Sequence, residues 1–133
     1  MKVMVNGTFD ILHRGHLQML QYARSLGDHL LVAIDTDRRV KELKGFDRPI
    51  NNQDDRRYML ESLKCVDTVY FFDSKEELID LMKEYKPDVY VKGSDWKKDR
   101  PSTAEEYCKE VIYYDRVGDY STTNTIQNII NRG

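Results

Sequence analysis

Asn6-Gly-Thr-Phe-Asp-Ile-Leu-His-Arg-Gly-His16 is the turn between the first strand and the first helix that this sequence predicts. Residues Lys2–Asn6 alternate around two valines, as a β-strand does. After the turn, apolar residues recur at helical spacing until Gly27 supplies a stop: Leu17, Leu20, Ala23 and Leu26. The nearly continuous apolar run His29–Asp35 predicts a second strand. The start of the chain therefore predicts a β-α-β unit.

The rest of the chain continues the alternation of strands and helices. Further strands are predicted over Asp67–Phe72, Asp88–Lys92 and Glu110–Tyr114. Further helices are predicted over Asp54–Leu63, Glu76–Tyr85 and Ser121–Ile130. Two charged stretches without periodicity are expected to be mobile loops, Lys41–Asn52 and Ser94–Thr103. The pattern predicts a Rossmann-like, doubly wound α/β domain with a five-stranded parallel sheet.

Size, charge and cysteine usage limit the class of protein. A chain of 133 residues, 40% of them hydrophobic, is expected to form a single domain over residues 1–133. Its 21 basic and 23 acidic residues argue against binding along nucleic acid. No apolar run approaches the ~20 residues that span a bilayer, so we expect a cytoplasmic protein without membrane insertion. Cys65 and Cys108 lack metal-site spacing and are expected to be ordinary thiols.

The first turn fits neither common phosphate-binding fingerprint, because its glycines are too far apart for a G-x-G-x-x-G or a P-loop. It does carry His13 and His16 at the mouth of a helix, where i, i+3 spacing places both rings on one face. Unpaired backbone N–H groups at a helix start attract phosphate. A zinc pair would need the i, i+4 spacing that is absent here, and incidental surface histidines are the other alternative. We expect a phosphate site with no metal on this pair.

Gly7–Asp10 followed by His13-Arg-Gly-His16 resembles the H-x-G-H signature of the nucleotidylyltransferase superfamily. Its members transfer a nucleoside monophosphate from a nucleoside triphosphate to a phosphorylated acceptor. Three further stretches are similar to the D-glycero-β-D-manno-heptose 1-phosphate adenylyltransferase family: Lys44–Asn51 (K-G-x-x-R-P-x-N), Val91–Asp95 (V-K-G-x-D) and Ser121–Asn124 (S-T-T-N). The resemblance covers nearly the full chain and favours ATP with a sugar phosphate, for cell-envelope or surface polysaccharide precursors.

A second subfamily competes for the assignment of the base. Asp95-Trp96, together with Arg116 shortly before the Ser-Thr-Thr stretch, resembles glycerol-3-phosphate cytidylyltransferase. That resemblance implies CTP as the nucleotide and glycerol 3-phosphate as the acceptor. A non-catalytic nucleotide-binding module is the alternative from another class.

The resemblance implies a role for each matched residue. The catalytic donors would be His13, His16 and Lys44, the last on a loop that can close. The nucleotide would be bound by Gly7, Thr8, Phe9, Lys92, Gly93, Asp95, Trp96, Arg116, Ser121, Thr122 and Thr123. The acceptor would be bound by Asp10, Asp37, Lys44 and Arg56. Mg²⁺ would come mainly with the nucleoside triphosphate, no residue being a dedicated metal ligand, and a homodimer is the family expectation.

On the acceptor side, three residues also have an interpretation without substrate. Asp10 is expected to orient the turn more than to touch the acceptor. Asp37 is equally suited to cap a helix. Arg56 could fork onto phosphate oxygens or be an ordinary surface residue.

On the nucleotide side the same ambiguity applies. Arg116 is of a type that is common on surfaces, and the hydroxyls of Ser121–Thr123 suit a helix cap as well as the β- and γ-phosphates. Trp96 suits a platform for the base or a lid packed on the core. These alternatives stay open at the level of sequence.

Overall fold

Strands and helices alternate along the chain in the computed structural model, which describes residues 1–93, 106–115, 126–127 and 129–131. The elements are β1 (Lys2–Gly7), α1 (Arg14–Ser25), β2 (His29–Asp35), α2 (Asp37–Lys44), α3 (Gln53–Glu61), β3 (Thr68–Phe72), α4 (Lys75–Tyr85), β4 (Val89–Gly93) and β5 (Glu110–Tyr114). Each strand lies within one residue of its predicted bounds. Residues 126, 127 and 129–131 are helical, which agrees with the predicted closing helix and extends one residue past its predicted end.

The five strands form one parallel sheet in the order β3-β2-β1-β4-β5. Val5 at the centre of β1 pairs with Val32 of β2 and with Val91 of β4. The chain leaves β1 toward β2 and later returns on its other side as β4. Parallel sheets bind ligands outside the carboxyl ends of the strands where the order reverses in this way. The functional site is therefore expected beyond the ends of β1 and β4.

Both faces of the sheet are covered, which confirms the predicted doubly wound architecture. On one face, Leu20 of α1 and Leu60 of α3 pack with the β1 valines in a buried cluster. On the other, Leu78 and Met82 of α4 pack on Met4 of β1. The strands at the centre of the sheet read as continuous apolar runs because both of their sides are buried.

Helix α2 corrects the prediction of a loop over Lys41–Asn52. The helix runs over Asp37–Lys44, and the hydroxyl of Thr36 caps it by accepting a hydrogen bond from the Arg39 N–H at 3.3 Å. Val40 is its one buried residue, so no apolar periodicity marked it. Asp37 is the first residue of the helix rather than its cap. The other predicted loop, Ser94–Thr103, lies outside the described residues.

Three properties of the described ranges bear on the sequence predictions. Cys65 and Cys108 are not joined in a disulfide. None of the helices in these ranges is long and apolar enough to cross a membrane. Within the same part of the chain, no group of three or more His, Cys, Asp or Glu side chains is placed to hold a metal ion.

Candidate active site

His13 and His16 form a stacked pair where α1 begins, just beyond β1. Their ring centroids lie 3.7 Å apart with an angle of 18° between the planes. The His16 N–H donates to Nδ1 of His13 at 3.4 Å, and the His13 N–H donates to Nδ1 of His16 at 3.3 Å. This reciprocal arrangement is a capping box made of two histidines. The expectation that both rings share one face at the helix mouth is confirmed.

The capping bonds fix the proton positions on the two rings. An Nδ1 atom that accepts a hydrogen bond carries no proton, so each neutral ring carries its proton on Nε2. Both imidazoles thereby become N–H donors at Nε2, and an N–H donor suits a phosphate oxygen. The helix cap and the chemical role are therefore coupled through the same two side chains.

The turn before the pair has a strained backbone. Phe9 has φ of +50°, in the left-handed region that non-glycine residues rarely adopt. Its buried ring packs edge-on against the His16 ring, with centroids 5.2 Å apart. A Cβ on Gly7 would lie 2.9 Å from the Phe9 ring, so glycine is required there. Strain of this kind persists where the surrounding structure holds it, often at functional sites.

Asp10 ties the turn to the loop that follows α2. Its buried carboxylate accepts hydrogen bonds from the backbone N–H groups of Ile50 at 2.7 Å and Asn51 at 2.8 Å. Its carbonyl accepts another from the Asn51 amide at 2.7 Å. The structure thus gives Asp10 the orienting task that the sequence suggested, three residues before His13.

Arg56 of α3 lies beneath the same turn with none of its side chain exposed. Its guanidinium donates to the carbonyl oxygens of Asn51, Thr8 and Asp35, at 2.9 to 3.1 Å. It also pairs with the Asp37 carboxylate at 2.8 Å. A direct contact with the acceptor phosphate would require these bonds to break. In this conformation Arg56 positions the ends of β1 and β2.

Lys44 is an exposed residue that lies near these charged groups. It is the last residue of α2, not part of a loop, and within the described ranges its ammonium has no hydrogen bond or ion pair. Burial lowers the pKa of Lys44, and the nearby Arg48 cation lowers it further, while Asp35 and Asp10 act in the opposite direction. An anion bound beside Lys44 would stabilise its charged form.

Sequence reasoning missed two charged residues that the fold adds to the site. Asp35 ends β2 and is buried, and it accepts hydrogen bonds from the Thr8 hydroxyl at 3.2 Å and from Arg39 Nε at 2.8 Å. Its position could have been predicted, because a carboxylate at the end of an apolar strand lies at the ligand-binding edge of a parallel sheet. Arg48 lies 3.6 Å from the Asp10 carboxylate, and only its place between Lys44 and Asn51 hinted at it.

The second half of the predicted site begins with the last two residues of β4. Lys92 and Gly93 come directly after Val91, which pairs with Val5, so they lie at the same edge as the turn. The Lys92 ammonium lies 5.8 Å from the centroid of the Tyr90 ring. Six predicted nucleotide ligands lie outside the described residues: Asp95, Trp96, Arg116, Ser121, Thr122 and Thr123.

This chain is similar to a known family and to several known proteins. The sequence profile of the cytidylyltransferase-like family matches residues 4–128. The bifunctional protein HldE of Campylobacter fetus is 47% identical over 127 residues, which are 96% of this chain and 27% of that protein. HldE of Helicobacter hepaticus is 46% identical, over 96% of this chain and 26% of that protein. This chain thus spans about a quarter of the length of the curated relatives it matches.

One solved structure is similar over almost its whole length. The lipopolysaccharide core biosynthesis protein from Thermoplasma volcanium superposes with a TM-score of 0.68 and 28% sequence identity. The match covers 90% of this chain and 98% of that one. This chain therefore has a fold that is known from experiment.

Proposed function

Because this chain belongs to the cytidylyltransferase-like family and is a nucleotidyltransferase, we propose that it transfers AMP from ATP to a sugar phosphate such as heptose 1-phosphate. Pyrophosphate is the second product, and the sugar nucleotide is a precursor for lipopolysaccharide or a related surface polysaccharide. The identity to HldE and the similarity to a lipopolysaccharide core biosynthesis protein support this choice. The stacked histidine pair, with two Nε2 donors at the end of β1, is the observation that carries the proposal.

The reaction needs donors and positioning more than it needs a base. A phosphate monoester has a second pKa of ~6, so the acceptor phosphate is already an oxyanion at neutral pH. One of its oxygens attacks the α-phosphorus of ATP, the α–β phosphoanhydride bond breaks, and pyrophosphate leaves with the bond electrons. His13 and His16 donate to the charge that develops on the phosphates, and Lys44 draws the two anions together.

The proposed placement of the substrates follows the strand order. The base binds at the backbone of Lys92 and Gly93, and the α-phosphate lies over Gly7–Phe9 at the start of α1. The acceptor lies on the β2 side of the histidine pair, where Lys44 and Asp37 are. Ser121–Thr123 stay proposed ligands of the β- and γ-phosphates.

A divalent cation, which we propose to be Mg²⁺, neutralises part of the triphosphate charge when it is bound. The nearby carboxylates fit poorly as its ligands, because those of Asp10 and Asp35 accept N–H or O–H donors and that of Asp37 pairs with Arg56. We therefore propose that the nucleotide and water hold the cation. A homodimer, a cytoplasmic location, and the absence of nucleic acid and membrane partners belong to the same proposal.

The choice of nucleotide and acceptor is tested by measuring pyrophosphate release. ATP with heptose 1-phosphate is expected to give a kcat/KM at least about tenfold above CTP with the same acceptor, and above either nucleotide with glycerol 3-phosphate. A preference for CTP and glycerol 3-phosphate would favour the cytidylyltransferase alternative. No pyrophosphate with any pair would favour a non-catalytic nucleotide-binding module. A preparation of the His16→Ala variant controls for contaminating activity.

Lys44→Ala is expected to lower kcat/KM about tenfold for ATP and for CTP alike. The reason is that the ammonium acts on phosphates, whereas the base is read at β4, so the ratio between the two nucleotides should not change. Steady-state kinetics with both nucleotides measures it. Lys41→Ala is the matched control, since Lys41 is exposed one turn earlier on α2. A preference that disappears with Lys44 would contradict the placement of the base.

A further inference from the structure

Arg48 has two buried donor atoms that form no hydrogen bond with any described residue. It lies in the loop between α2 and α3, and 11% of its side chain is exposed. Among the residues that the structure describes, its Nε and Nη2 atoms have no hydrogen-bond acceptor. Asp10 is the nearest carboxylate at 3.6 Å from Nε, too far for a hydrogen bond. That carboxylate already accepts from the N–H groups of Ile50 and Asn51.

The two orphaned atoms are the ones that a bidentate ligand uses. Nε–H and one Nη2–H of a guanidinium point the same way and match two oxygens of one phosphate or carboxylate. Buried donors in native proteins almost always have a partner, so an unpartnered pair indicates a ligand. The negative charge of the Asp10 carboxylate lies near the Arg48 guanidinium, but it forms no hydrogen bond with Nε or Nη2.

A second cation lies close to the first. Lys44 has no hydrogen-bonding or ionic partner among the described residues, and the Arg48 charge contributes to the lowered pKa of Lys44. The two cations repel each other, and the nearby Asp10 and Asp35 carboxylates offset only part of this repulsion, since the pKa of Lys44 remains lowered. A phosphate bound between them would satisfy the guanidinium fork and the ammonium together.

The position of Arg48 selects which phosphate this is. Its loop lies on the β2 side of β1, whereas Lys92 and Gly93 lie on the β4 side. With the histidine pair between the two sides, Lys44 at the end of α2 and Arg48 in the loop after it lie on the side where we place the acceptor. We propose that Arg48 binds the acceptor phosphate through Nε and Nη2, with Lys44 as the second cation. This assignment rests on the proposed function and adds a substrate-binding residue to it.

The test separates the two substrates kinetically. Arg48→Ala is expected to raise the KM for heptose 1-phosphate about 30-fold while the KM for ATP changes less than about threefold. Arg48→Lys keeps the charge but loses the fork, so it should restore only part of the affinity. Arg57→Ala is the surface control, because Arg57 is exposed on α3 and pairs with Glu61. Thermal melts of each variant monitor folding.

Two kinetic results would contradict the assignment of Arg48, and a phosphate titration tests it if the enzyme shows no turnover. An increase in the KM for ATP alone would place Arg48 on the triphosphate. Unchanged KM values with a lowered Tm would make Arg48 a structural partner of Asp10. If the wild type releases no pyrophosphate, the proposed function fails separately, and calorimetric titration with inorganic phosphate decides. Weaker phosphate binding by Arg48→Ala than by wild type then supports the anion site, and equal binding overturns it.

Discussion

Replacing His16 by alanine is expected to lower kcat by about 100- to 1000-fold, the effect of losing one preorganised donor aimed at transition-state charge. The neutral His16 ring carries its proton on Nε2, because its Nδ1 accepts the His13 N–H. Alanine removes that donor and also the ring that Phe9 packs against. Steady-state pyrophosphate release measures kcat, and circular dichroism shows whether the fold is retained.

His13 offers a sharper version of the same experiment, because its capping and catalytic roles can be separated. Asparagine at an N-cap accepts the backbone N–H as His13 Nδ1 does, whereas alanine cannot. His13→Asn should therefore keep the helix cap and lose the Nε2 donor. We expect kcat to fall as far in His13→Asn as in His13→Ala, with the alanine variant alone losing about 1 kcal/mol of stability.

Turnover near the wild-type value in His13→Asn and in His16→Ala would remove the histidine pair from the mechanism. The double variant adds a second check. Because the rings are stacked and cap each other, removing both should cost less than the product of the two single effects. Two fully independent effects would indicate that the rings do not act as a unit.

The sequence predicted the part of the fold in which several local signals agree. β1 and α1 follow from the alternating valines and from a leucine repeat that Gly27 ends, and the turn lies between them. The apolar run His29–Asp35 forms β2 with those same bounds. Such runs are informative because the sheet buries both of its faces, so nearly every residue of a central strand has to be apolar.

The sequence did not predict helix α2, whose contacts are a helix cap and charged pairs rather than an apolar face. α2 buries Val40 alone, and it is held by the Thr36 cap and by an Arg38–Glu42 pair one turn apart. Charged residues of this kind are also typical of loops, so periodicity carried no signal. Lys44 was accordingly placed on a loop, although it ends a helix.

The sequence also could not predict which arginine is buried beneath the turn and which one stays at the surface. Arg56 and Arg57 are adjacent and identical in type, and a motif can suggest a phosphate ligand at either. Helix geometry turns Arg56 toward the ends of β1 and β2, while 45% of the Arg57 side chain stays exposed beside Glu61. Two of the acceptors that define the role of Arg56, the carbonyl groups of Thr8 and Asp35, come from distant parts of the chain, and only the fold brings them to it.

Arg56→Ala is expected to lower the free energy of unfolding by about 3 kcal/mol, because it removes a fully buried guanidinium whose ion-pair partner Asp37 keeps 30% of its side chain exposed. The carbonyl oxygens of Thr8, Asp35 and Asn51 would lose their donor at the same time. Urea denaturation followed by circular dichroism measures the change. Arg57→Ala is the matched control on the next residue, and it should change stability by no more than about 0.5 kcal/mol.

The same pair of variants tests the phosphate-binding role that the resemblance implies for Arg56. If Arg56 holds the turn in place, a temperature low enough to keep Arg56→Ala folded should restore much of its affinity for the acceptor, since Lys44 and the histidines are still present. If Arg56 instead binds the acceptor phosphate, the KM of Arg56→Ala for the acceptor should rise strongly. The stability of this variant should then stay close to that of Arg57→Ala. The four hydrogen-bonded contacts and the complete burial of the guanidinium favour the first outcome.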